Sequence, residues 1–236
     1  MTKKIYLSDT YLFECEAVIT GQGKDEKGNY ILMDRTIFYP QSGGQPSDIG
    51  IIKGDNFELE VTFVKNVENE IRHYINHYQV LKYSNVMCFI NKNRRLLNAK
   101  YHTSAHLLGN SVEVLYPGLK AIKGHSFPNE AYVEFNGTGE LDLAKIQNEI
   151  NEAIKADHLT RIFEIDPVSF EQQYYKLPYQ IPEDKHFRVM QIGNLLPVPC
   201  GGTHLSSTSE IGDIKITKIK AKNDVTRITY EVHFVN

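Results

Sequence analysis

The chain has 236 residues, 41% of them hydrophobic and 23% charged, with 26 Lys and Arg against 29 Asp and Glu and a formal net charge of −3. That balance fits one large or two small globular domains and excludes fibrous, disordered and strongly polycationic classes. With no global positive charge, any contact with nucleic acid has to come from local patches.

Met1–Val18 carries Glu14, Cys15 and Glu16 and no apolar h-region, so no signal peptide is expected. No apolar run approaches the roughly 18 residues of a membrane span, and no membrane partner is expected. Three widely spaced cysteines, Cys15, Cys88 and Cys200, point to reduced thiols in the cytoplasm rather than a disulfide framework.

The first ninety residues read as β structure. Cys15–Thr20, Tyr30–Asp34, Phe57–Lys65, Glu70–Asn76 and Val86–Ile90 are short and rich in β-branched or aromatic residues. Glycine-containing segments at 23–29, 50 and 54–56 read as the turns between them, and Gly21-Gln22-Gly23 as a hairpin turn. Short strands at this spacing predict a small barrel.

At Asn91 the period changes. Leu97, Tyr101, Ala105, Leu108, Val112 and Leu115 recur at helical spacing until Pro117-Gly118 stops them. A second amphipathic helix carries Leu143, Ile146, Ile150, Ala153 and Ile154. A short third one is expected over Pro167–Tyr175, with proline at its start. Strands are predicted at Ala131–Phe135, Thr160–Ile165, Phe187–Ile192, Ile214–Ile219 and Thr226–Phe234. The fold class is therefore α+β: a small β-barrel over residues 1–90, then an α+β domain over 91–236 with an antiparallel sheet and two main helices.

His102 and His106 stand at i and i+4 in the first long helix, so both imidazoles project from one face, a turn apart. Far downstream, Cys200-Gly201-Gly202-Thr203-His204 offers a thiol and an imidazole on a loop that two glycines let curl. Two histidines from a helix plus Cys200 and His204 make a borderline-soft, four-donor set suited to Zn2+. The decoy His73-Tyr74-Ile75-Asn76-His77 has the same spacing, but on a strand i and i+4 lie roughly 13 Å apart. His73 and His77 are assigned to a sheet surface, and His158, His186 and His233 to structural or surface roles. A metalloprotease would need glutamate after the first histidine; Thr103 stands there.

The segment from Asp34 to Asp48 holds two aromatics, Pro40, the pair Gly43-Gly44 and Pro46. Such a loop lets backbone amides approach a ligand, or simply turns a barrel corner. Lys92, Arg94, Arg95 and Lys100, and further on Lys215, Lys218, Lys220 and Lys222, form the local basic clusters that could meet RNA phosphates.

Four segments in order, DRTIFYPQSGGQPSDIG, YHTSAHLLG, KGHSFPNEAYVEF and RVMQIGNLLPVPCGGTHL, span residues 34–205. They resemble the AlaX family of alanyl-tRNA editing proteins and the editing domain of alanyl-tRNA synthetase. The resemblance is to the medium-length, trans-acting class, since the β half is present and there is no room for an aminoacylation domain. It implies hydrolysis of the ester joining serine, or glycine, to tRNA(Ala). It also implies zinc on His102, His106, Cys200 and His204, and a substrate pocket using Gly43, Gly44, Thr36 and Gln45. His125 is a candidate assisting residue. The Lys100-Tyr101 pair departs from the basic pair often found before the first motif. Two alternatives stand beside this reading: a zinc-stabilised RNA-binding module without turnover, and a zinc hydrolase of small esters or amides.

Overall fold

The computed structural model describes residues 2–77, 84–177, 179–182 and 184–233. The chain divides into two compact units, 1–99 and 100–236.

The first unit contains β1 (Lys3–Lys4), β2 (Glu14–Asp25), β3 (Gly28–Met33), β4 (Arg35–Thr36), β5 (Gly50–Gly54), β6 (Phe57–Val67), β7 (Glu70–Ile75) and β8 (Asn85–Ile90). Six of these close a barrel in the order β2-β3-β7-β6-β5-β8, while β1 pairs in parallel with β4. Alternation drives the closure: Leu59, Val61 and Val64 of β6, Ile71 of β7 and Ile52 of β5 are fully buried. Each such side chain contributes about 1.5–3 kcal/mol by leaving water.

Three local expectations are corrected. Gly50 opens a strand instead of making a turn, because β5 lies against β8 with Gly50 opposite Ile90; a Cβ there would stand 2.1 Å from the Phe89 carbonyl oxygen. Gly21 to Gly23 belong to β2, and the turn comes later, at Glu26-Lys27. The bare Gly23 backbone makes room for the Tyr30 ring on the paired strand, where a Cβ would lie 2.5 Å from it.

The third correction is His73, which is fully buried in the barrel and not on a sheet surface. It shares the inward parity of Ile71 and Ile75. His73 Nδ1 lies 3.2 Å from the Ile31 carbonyl oxygen and Nε2 lies 2.8 Å from Thr36 Oγ1. The carbonyl can only accept, so the ring proton sits on Nδ1 and the Thr36 hydroxyl donates to Nε2. Thr36 Oγ1 in turn accepts the Phe38 N–H at 3.0 Å.

Burial lowers the His73 pKa to about 4, outweighing the Ile31 contact. An unfolded histidine titrates near 6.5. Above that pH both states are neutral and the fold keeps its full stability. Between about 6.5 and 4 the unfolded chain takes up a proton that the native ring refuses, so stability falls as pH drops. The loss reaches about 3 kcal/mol at pH 4. A His73→Gln chain is expected to show a shallower fall over that window in denaturant titrations, and equal slopes would count against it.

The helix α1 (Lys92–Leu115) has its first two turns in the first unit. The Asn91 carboxamide oxygen accepts the Arg94 N–H at 2.9 Å and starts it; Pro117 follows its end. The second unit continues with β9 (Lys120–His125), β10 (Tyr132–Asn136), α2 (Leu143–Lys155), β11 (Thr160–Ile165), α3 (Pro167–Gln173), β12 (Phe187–Ile192), β13 (Val198–Pro199), β14 (Asp213–Lys222) and β15 (Val225–His233). They form an antiparallel sheet β14-β15-β10-β9 and a smaller sheet β11-β12-β13. Of the strand expected over Thr226–Phe234, Phe234 lies outside the described residues. The expected α+β class is found, with α1 and α2 as its main helices.

Both shorter helices are capped as their sequences dictate. Asp142 accepts the Lys145 N–H ahead of α2, and Asp166 accepts the Ser169 N–H ahead of α3, where Pro167 takes the first helical position. Ile146 and Ile150 bury one face of α2. Gln147 ties α2 to β14 by donating to the Ile214 carbonyl and accepting the Ile216 N–H. Under the large sheet, the buried Tyr230 hydroxyl donates to the Tyr101 carbonyl of α1 at 2.7 Å.

Candidate metal centre

The second unit brings His102, His106, Cys200 and His204 together. Their ligand atoms all lie within 4.8 Å of one another, in a half-buried to buried setting. The i, i+4 spacing on α1 leaves the two ring centroids 5.0 Å apart, and His204 comes within 4.4 Å of His102 and 5.1 Å of His106. Cys200 Sγ lies 3.5 Å from His102 Nε2 and 3.2 Å from His204 Nε2. A tetrahedral ion with metal–sulfur and metal–nitrogen bonds of about 2.3 and 2.0–2.1 Å sets sulfur and nitrogen about 3.5 Å apart. The thiol's 3.5 Å to His102 matches that edge, and its 3.2 Å to His204 falls a little inside it.

The electrostatics keep the imidazoles in their unprotonated form. Burial, then neighbouring imidazoles and the Arg188 guanidinium, hold His102 and His204 well below the ordinary histidine range. Burial and Arg188 lower His106 to about 4. Burial pushes the Cys200 thiol up, against the Gly202 N–H and Arg188. Three imidazoles are thus neutral at pH 7 with lone pairs to offer, which is the state a metal ligand requires. His106 Nε2 is buried with no hydrogen-bond partner among the described residues. An orphaned acceptor of this kind costs about 1–3 kcal/mol, and a metal bond would satisfy it.

Supporting contacts fix the loop, and spacing alone does not reveal them. Fully buried Thr103 accepts the Leu205 N–H at 3.1 Å and places its hydroxyl 3.5 Å from His204 Nδ1. Arg188 Nη1 donates to the Cys200 carbonyl at 2.6 Å, and the Cys200 N–H donates to the Arg188 carbonyl at 3.0 Å. The Thr160 hydroxyl donates to the Leu205 carbonyl. Outer contacts of this kind orient metal ligands.

Family models match on both units. Residues 187–229, which include Cys200 and His204, match the threonyl and alanyl tRNA synthetase second additional domain. Residues 10–94 match the class II (A) tRNA synthetases. Alanyl-tRNA editing protein AlaX-M of Methanosarcina acetivorans is 30% identical over 98% of this chain and 98% of its own. AlaX-M of Saccharolobus solfataricus is 31% identical with the same coverage of both. The chain belongs to the AlaX family of alanyl-tRNA editing proteins. AlaX-L of Pyrococcus horikoshii is 33% identical over 94% of this chain, which spans 56% of that relative. The alanine–tRNA ligase of Archaeoglobus fulgidus is 28% identical, and the chain spans 25% of it.

The glycine-rich segment of this AlaX chain forms a tight turn in the first unit. Ser42 and Gln45 pair across Gly43 and Gly44, whose φ values are 54° and 78°. Two consecutive left-handed residues make a type I′ turn, which explains the glycine pair by backbone conformation. Gln45 is buried, and Tyr39 braces the turn by donating its hydroxyl to the Ser42 carbonyl. Thr36 is fully buried, with its hydroxyl engaged as described.

Among the basic candidates, Arg95 is corrected. It is fully buried, ion-paired with the equally buried Asp48, and donates to the carbonyls of Thr10 and Ile37. A guanidinium committed in this way is not available to phosphates. Lys92, Lys215, Lys218, Lys220 and Lys222 are exposed, while Arg94 and Lys100 are half-buried, with Arg94 Nε on the Ser47 carbonyl. His125, the candidate assisting residue, ends strand β9 and is not among the four clustered ligands. No helix among the described residues is long and apolar enough to cross a membrane.

Proposed function

We propose that this chain is a trans-editing deacylase that hydrolyses the ester between serine, or glycine, and tRNA(Ala), with zinc as its metal, in the cytoplasm. The observation that carries this reading is the convergence of His102, His106, Cys200 and His204 in a chain matching AlaX-M relatives end to end. Zinc at such a site supplies Lewis-acid polarisation of a carbonyl or a bound water. Four protein donors also fit a closed structural site, so a second role, pinning the 200–204 loop to α1, is supported by the donor count itself.

Editing answers a chemical problem: an alanine pocket cannot strongly exclude serine, which adds only a hydroxyl. The editing site must favour serine through polar groups that alanine would leave unpaired. Gly43, Gly44 and Gln45 are proposed to contribute from the turn. Thr36 is proposed to act by positioning, since its hydroxyl holds His73 and the Phe38 amide. Lys92, Arg94, Lys100, Lys218 and Lys220 are proposed to meet the RNA. His125 is proposed to serve through the ring stack described below.

The test is deacylation of Ser-, Gly- and Ala-tRNA(Ala) at sub-stoichiometric, zinc-loaded protein. Serine is expected to be released over many turnovers and alanine spared by up to about 10⁴-fold, with Thr36→Val narrowing that ratio. Tight RNA binding without turnover would leave the binding-module alternative. Rates indifferent to the tRNA body would leave the small-ester hydrolase.

A further inference from the structure

One end of the open face of the four-stranded sheet concentrates positive charge, beyond the mixed rows of Lys215 with Glu231 and Asp213 with His233. Paired residues of neighbouring strands share a face, so the register reads directly as rows. One row holds Lys218, Thr229, Tyr132 and His125; the next Lys220, Arg227, Glu134 and Lys123; the third Lys222, Val225, Asn136 and Lys120. These rows carry six cationic side chains and one carboxylate, on a chain whose net charge is −3. The carboxylate, Glu134, is already taken by Arg227 Nε at 3.0 Å.

Aromatic rings run along the same face. His125 stacks on Phe127 with centroids 4.4 Å apart and planes 1° from parallel, and on Tyr132 at 5.1 Å. The Arg227 guanidinium lies 4.0 Å over the Tyr132 ring, and Lys123 Nζ lies 5.8 Å from it. Lysines on edge strands commonly serve only to block edge-to-edge pairing, which would account for β9 and β14. It does not account for Arg227 on an inner strand or for stacked rings on a solvent face.

We infer that this face docks RNA, its lysines meeting the phosphate backbone and the Phe127–His125–Tyr132 ladder stacking an unpaired base. Basic side chains around aromatic platforms are how proteins hold single-stranded nucleic acid. The inference rests on the proposed action on tRNA but does not require turnover.

The experiment measures binding of fluorescently labelled, uncharged tRNA across a salt series. Lys218→Glu/Lys220→Glu is expected to weaken binding at least tenfold and to flatten the salt slope by about 1.5 or more. His125→Ala/Tyr132→Ala is expected to lose about 5- to 100-fold with the salt slope kept. The control Lys24→Glu/Lys155→Glu, at exposed lysines elsewhere, is expected to stay within about twofold. Face variants no weaker than the control overturn the inference. So does a change in sedimentation with RNA affinity intact, which would make the face a self-association surface. A wild-type chain that binds RNA through this face yet never deacylates defeats the editing reading and leaves the inference standing. One that deacylates while the face variants bind normally does the reverse.

Discussion

Replacing Cys200 with alanine is expected to take bound zinc from about one ion per chain to none that survives gel filtration. Three of the four donors are neutral imidazoles, so the thiolate is the only anion the cluster offers a dication. Losing it should cost more than the 10–100-fold that follows from removing an outer-shell partner. Folding should survive, because Cys200 is tied to Arg188 through its backbone N–H and carbonyl, and neither bond needs the thiol. With metal at about 100 times its dissociation constant, the wild-type chain gains roughly 2.7 kcal/mol, a rise in Tm on the order of 5–10 °C. The variant should show no such rise, and its deacylation rate should drop at least about a hundredfold. Metal analysis, thermal melts and deacylation assays on the same preparations check this. Undiminished metal content in Cys200→Ala would sink the four-donor centre.

Arg95→Met is expected to be the most damaging single change in the first unit, costing about 3–5 kcal/mol. The substitution leaves the fully buried Asp48 carboxylate without its ion pair and the Thr10 and Ile37 carbonyls without a donor. For a unit of about a hundred residues that corresponds to a fall in Tm of at least about 10 °C. Asp48 would keep the Tyr39 N–H, which donates to it at 2.7 Å, but one amide does not offset a missing guanidinium. The double variant Arg95→Met/Asp48→Leu should recover part of the loss, because desolvating a buried pair is itself costly. A single variant as stable as wild type would show that the pair carries no structural weight.

These residues mark where sequence reasoning succeeds and where it stops. Alternating apolar residues in β6 and the glycine-proline stop after α1 are local signals, and the elements follow them. The donor cluster was readable because helical spacing brings His102 near His106 and a glycine pair lets Cys200 reach His204. The strand β5 carries no such local signal, because it has five residues and a glycine at each end, one of them demanded by the Phe89 carbonyl on β8. His73 alternates with the apolar Ile71 and Ile75, and that parity is the local signal that places it inside the barrel. Arg95 has no such signal: its partner Asp48 lies 47 residues away, and nothing local separates it from Lys92, Arg94 and Lys100. Thr103 is hidden for the same reason, since its contact with the ligand loop spans 102 residues; Arg188 reaches Cys200 across only 12, but no helical or ligand spacing marks that contact.

The clustered donors come from segments 98 residues apart, with two strand systems and two helices between them. Contacts of such long range form late, after the intervening chain has ordered. An ion clasped there would therefore leave the rate of folding almost untouched and act by slowing escape from the native state. The centre would behave as a lock set after assembly, and a chelator's effect would be seen in the lifetime of the folded chain more than in its ability to form.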